Sequence, residues 1–90
     1  MFDSISLDSV PEGARVKILS LMVGRGARQR LLEMGITPGT EVLIVNNKHF
    51  GPILVLSRGT IIALGRGIAR KILVEVISNE FVNQGKKSSV

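Results

Sequence analysis

The chain has 90 residues, 44% of them hydrophobic, with no Cys, Trp or Tyr and a formal net charge of +5. That length fits one small domain, which buries roughly 60% of the surface its unfolded form exposes. The missing Cys excludes a disulfide framework, a thiol nucleophile and a thiolate metal site, and no apolar run reaches the ~18 residues of a membrane span. The charge is concentrated in the middle of the chain. Between Arg15 and Lys71 ten basic residues face only Glu33 and Glu41, a net +8. A body that basic predicts an acidic partner surface. Met1-Phe2-Asp3-Ser4 lacks the basic-then-apolar order of a secretory leader, so a cytosolic chain is expected.

In chain order, Ile5-Ser6-Leu7 reads as a short extended piece, and Pro11-Glu12-Gly13 as turn chemistry. Arg15-Val16-Lys17-Ile18 alternates polar and apolar, the pattern of a half-buried strand. Leu19-Ser20-Leu21 shifts the apolar phase by one residue, which predicts a bulge or the strand's end there. A short helix is predicted over about 27–34, with Ala27, Leu31 and Met34 on one face. Leu32 falls on its flank. No Ser, Thr, Asp or Asn caps its start, so Gly24 or Gly26 must serve.

The stretch from Leu31 to Val42 organises the chain. Gly35 suits the left-handed position just past a helix, and Ile36 can then fold back onto Leu31. Pro38-Gly39 is the central pair of a type II turn, Pro presetting φ and Gly accepting a positive one. Gly35, Pro38 and Gly39 are therefore structural. Thr40 to Val45 is a strand, followed by a loop over 46–52. Ile53–Leu56 and Thr60–Leu64 form a hairpin across Ser57-Arg58-Gly59. Residues 66–70 make one helical turn. Lys71 to Ile77 is the last strand, with Ile72, Val74 and Val76 on one face. The expected domain is 1–77, and 78–90 form a mobile polar tail. About five antiparallel strands and one helix at this size predict a mainly β fold, a small barrel that closes on itself to remove its edges.

The pattern Val10-Pro11-Glu12-Gly13, Arg30-Leu31, Met34-Gly35-Ile36-Thr37-Pro38-Gly39, Val42, Gly51-Pro52-Ile53, Ala63-Leu64, Ala69, Ile72 and Val74 resembles the ferrous iron transport protein A (FeoA) family over about residues 5–77. A similar module ends the metal-dependent regulators of the diphtheria toxin repressor type. The resemblance implies an SH3-like barrel in a bacterial cytosol. It also implies a role in ferrous iron uptake beside the FeoB-type permease, whose cytosolic part binds GTP. Through that partner the protein would sit against the inner face of the plasma membrane. The segment Asn47-Lys48-His49-Phe50-Gly51-Pro52 departs from the family, which usually carries a Pro and two Gly there. Partner specificity through that loop would differ accordingly.

Iron is the family's concern, yet the residues offer little to hold a transition metal. His49 is the sole His, and the seven carboxylates are scattered without ligand spacing. His49 is a surface candidate only, and no cofactor is expected. Gly24-Arg25-Gly26 before a helix lacks the ending of a phosphate loop and reads as turn-making. Without Cys, Tyr or a placed Ser–His–Asp set, enzymatic activity is not expected. A basic barrel binding nucleic acid is the alternative. It has phosphate-pairing charge but only Phe2, Phe50 and Phe81 for stacking. Protein docking is the favoured class. Leu19, Leu43 and Leu54, off the core phase, would form an apolar patch bordered by Arg28, Leu32, Arg58 and Arg66. An exposed strand edge would allow copies to pair.

Overall fold

A computed structural model describes residues 4–48 and 50–79. Six strands form one antiparallel sheet in the order β1-β6-β2-β3-β4-β5. They are β1 (Ser4–Ser6), β2 (Ala14–Leu21), β3 (Glu41–Asn46), β4 (Ile53–Ser57), β5 (Thr60–Leu64) and β6 (Ile72–Asn79). A 3-10 turn follows β1 over Leu7–Ser9, α1 spans Arg25–Glu33 and α2 spans Arg66–Ala69. The sixth strand is the extended piece at Ser4–Ser6, which pairs with β6 from Ser4 opposite Glu75 to Ser6 opposite Leu73.

The sheet curls without closing. Its ends, β1 and β5, do not pair with each other. The curl comes from register shifts that leave one extra residue in each of three strands: Ile77 of β6 opposite Arg15–Val16, Leu19 of β2 between Ile18 and Ser20, and Val45 of β3 between Ile44 and Asn46. An extra residue bends the strand that carries it. The second shift is the one the apolar phase predicts: Ile18 and Leu21 are both buried, and Leu19 is turned out. The concave side holds the core, built from alternate residues of β2 to β6 with Leu7, Val10, Leu31 and Ile36 laid across it.

The organising stretch has the predicted geometry. The Ile36 amide donates to Leu31 O at 2.8 Å and the Gly35 amide to Leu32 O at 3.0 Å, with Gly35 at φ +87°. These are the two bonds of a Schellman ending. The Thr40 amide donates to Thr37 O at 3.0 Å around Gly39 at φ +94°, as a type II turn requires. The Gly39 amide then donates to Ile18 O at 2.7 Å and receives the chain into β3. Gly24 is the cap, so α1 begins two residues earlier than predicted.

Several placements differ from expectation. Met34 is 44% exposed, because it is the capping residue and turns away from the Leu31 stripe. Leu31 is the one buried residue of α1. Ser57 belongs to β4, which leaves a two-residue hairpin loop, Arg58-Gly59. Val76 is 42% exposed although its β2 partner Val16 is buried, and it stands next to the register shift at Ile77. β6 also runs two residues beyond the predicted boundary, to Asn79. The rest of the expected tail, residues 80–90, lies outside the described residues.

Candidate functional site

An antiparallel sheet that faces water on one side normally alternates apolar-in and polar-out. The β3–β4–β5 part of this sheet breaks that rule. Ile44, Val55 and Ile62 face the core, while the outward positions between them are Leu43, Val45, Leu54, Leu56, Ile61 and Ala63. Cross-strand pairing makes them continuous. Leu43 stands opposite Leu56, Leu56 opposite Ile61, and Leu54 opposite Ala63. Nothing in the described fold covers this face: Ile61 is 52% exposed, Val45 and Ala63 are exposed, and Leu43, Leu54 and Leu56 are half-buried. Leu43 and Leu54 thus lie on one patch, as expected, and Leu19 sits apart at the β2 bulge.

The four residues expected at the border divide into two kinds. Arg28 and Leu32 are exposed on α1, four residues apart and so on one helix face. The Arg28 Nη2 donates to Leu21 O at 2.8 Å, which steadies α1 against the end of β2. Arg58 projects from the hairpin at the end of β4–β5, with φ +53°. Arg66, at the start of α2, is half-buried and donates through Nη2 to Asn47 Oδ1 at 2.9 Å, while its Nε has no partner among the described residues. Arg66 therefore helps hold the fold at the far end of β5.

Asn47 is the residue sequence reasoning missed. Its amide donates to Glu12 Oε2 at 2.8 Å, and its Nδ2 donates to Asp8 O at 3.1 Å and Val10 O at 2.7 Å. With Arg66 these bonds clamp the β3–β4 loop to the 3-10 turn and α2. The amide bond and the nearby Lys48 ammonium, at 3.4 Å, hold the Glu12 carboxyl below the ordinary glutamate range. No local signal announces this clamp, because its partners lie 19 to 39 residues away. The outer apolar row was more legible: Ile53-Leu54-Val55-Leu56 and Ile61-Ile62-Ala63-Leu64 are apolar on both faces, a pattern that barrel closure also explains.

No group of three or more metal-ligating side chains occurs among the described residues, and His49 lies outside them. The described residues also hold no His, Cys or Tyr for acid–base or nucleophilic chemistry. An open apolar sheet face on a curled antiparallel sheet places the chain among small SH3-like β domains.

The comparisons specify which one. Residues 5–76 match the FeoA domain model, and the chain belongs to that family. A protein named Fe(2+) transport protein A from Methanocaldococcus jannaschii is 42% identical over 64 residues, covering 71% of this chain and 77% of that one. A crystal structure of an iron uptake regulatory protein, FeoA, superposes with a TM-score of 0.76 at 27% identity, over 83% of this chain and 99% of its own. The T. acidophilum IdeR structure shares the fold, with a TM-score of 0.77 at 22% identity over 86% of this chain and 36% of that one. Family membership places the chain in Fe(2+) transport.

Proposed function

We propose that this chain is a cytosolic, non-enzymatic accessory protein of ferrous iron uptake, docking on the GTP-binding cytosolic part of a FeoB-type permease. Membership in the FeoA family supports the pathway. The observation that carries the docking reading is the uncovered row Leu43–Leu56–Ile61 on a sheet face that water alone would make polar. Arg28 and Leu32 on α1 and Arg58 on the hairpin border the surface, with Arg66 fixing its far end. The protein would act by binding one nucleotide state of the permease more tightly than the other, since only differential affinity shifts an equilibrium.

A pull-down with the purified permease cytosolic domain, run with GDP and with a GTP analogue, tests this. Retention that differs between the two nucleotides supports the reading. Absence of retention with both rejects it.

A further inference from the structure

The free edge of β5 has the properties of a strand-addition site. A hairpin with Ser57 opposite Thr60 and a two-residue loop makes that pair a hydrogen-bonded one. The pairs then alternate, so Thr60, Ile62 and Leu64 bond to β4. The amides and carbonyls of Ile61 and Ala63 point out of the sheet. None of these four groups has another partner among the described residues. β5 pairs with β4 without a bulge and carries no charge and no Pro, the devices that usually protect an edge.

Beside this edge runs a groove of about 580 Å³. Glu33, Met34 and Gly35 at the end of α1 form one wall, Ile61 and Ala63 form the other, and Arg58 stands at its end. Two features there carry an energetic cost. Ser57 lines the groove at 3% exposure, and its Oγ has no hydrogen-bond partner among the described residues. Arg58 occupies the first central position of a type I′ turn, where Asn, Asp or Gly is the unstrained choice. It makes no ion pair among the described residues.

Charge selects the occupant. A second copy of β5 would bring no carboxylate to Arg58, because Thr60–Leu64 is uncharged. A segment with a carboxylate at the hairpin end meets Arg58 instead. Glu33 on the facing wall disfavours acidic residues along the rest of that segment.

We propose that β5 takes an extended segment of a partner protein as a seventh, antiparallel strand, held by the main-chain groups of Ile61 and Ala63 and by an acidic side chain at the hairpin end on Arg58. The inference rests on the docking reading above and adds the surface and the form of what it binds.

The test is amide hydrogen exchange read by NMR on the whole chain. One probe is the synthetic peptide acetyl-Thr-Val-Thr-Val-Glu-amide, whose Glu lies at the hairpin end when it pairs antiparallel to β5; the other is the permease cytosolic domain. Saturating peptide should slow exchange at Ile61 and Ala63 by about tenfold or more. The same peptide N-methylated at both Val residues should leave those rates unchanged. Replacing its Glu with Lys should weaken binding by about three- to fivefold, the scale of an exposed ion pair. Unchanged rates at both amides with the peptide and with the bound permease domain would overturn the proposal. So would protection without any probe together with a dimer mass in sedimentation, which would assign the edge to a second copy. If the permease domain binds while both amides still exchange freely, the edge proposal falls and the docking reading stands. If the peptide protects them and the permease domain does not bind at all, the edge proposal stands and the permease reading falls.

Discussion

The two ends of the sheet are finished differently. β1 is three residues long and stops in a 3-10 turn, where Ser6 Oγ donates to Asp8 Oδ1 at 2.6 Å. Behind it Leu7 is fully buried, and Asn47 ties the following backbone to the β3–β4 loop. β5 is five residues long, straight, uncharged and open, with Ile61 half in water. A short edge strand that ends at once is how natural sheets avoid pairing with strangers, and a long flat one invites it. The difference teaches that one edge is finished by the chain's own turn and buried side chain, while the other is left open.

That division can be broken by mutation. Leu7→Ala should be the most damaging change, because it empties a fully buried site under the closed edge. A loss of about 2–5 kcal/mol is expected, at about 4–8 °C per kcal/mol for a domain this size, read by thermal unfolding. Asn47→Ala should come next. It removes three side-chain hydrogen bonds and leaves Arg66 unpartnered, for about 2–3 kcal/mol at the usual net value of each bond. If either variant melts like the parent, the closed edge is not a stability element.

On the open edge the sign should reverse. Arg58→Gly relieves a left-handed non-Gly residue and should stabilise the fold by about 1 kcal/mol while weakening partner binding. A lower melting temperature in this variant would mean that Arg58 is there for the fold. The smallest effect belongs to Glu12. Its carboxyl titrates below the ordinary range because the Asn47 amide and Lys48 favour the charged form. Its contribution is therefore present above the unfolded value and is lost as pH falls through the lower folded value. Glu12→Gln should flatten the acid side of the melting-temperature profile and leave no pH-dependent gap below the folded value.

Local rules made one half of this chain readable and left the other half dark. Gly35, Pro38 and Gly39 each sit where a specific φ is needed, so the helix ending and the turn follow from residue type. The bulge at Ile18–Ser20 was legible because a phase shift in hydrophobicity has few other causes. Met34 falls outside the core because an eight-residue stripe does not reveal which residue becomes the cap. Closure was over-read for a physical reason: strands apolar on both faces look the same whether another strand or an absent partner covers them. The candidate patch was half visible in Leu43 and Leu54. Its continuation through Leu56 to Ile61 depends on cross-strand register, which no single strand encodes.

The most direct test of the account is the affinity of the permease cytosolic domain for this chain and for its Ile61→Lys variant, measured by titration calorimetry with melting curves alongside. An exposed outward position should tolerate Lys within about 0.5 kcal/mol of stability. The same change at the centre of a desolvated contact should cost about 2 kcal/mol or more of binding, a loss of about thirtyfold or more in affinity. Equal affinity of the two proteins, with both fully folded, would contradict the claim that the β5 side of the sheet is where this protein meets its partner.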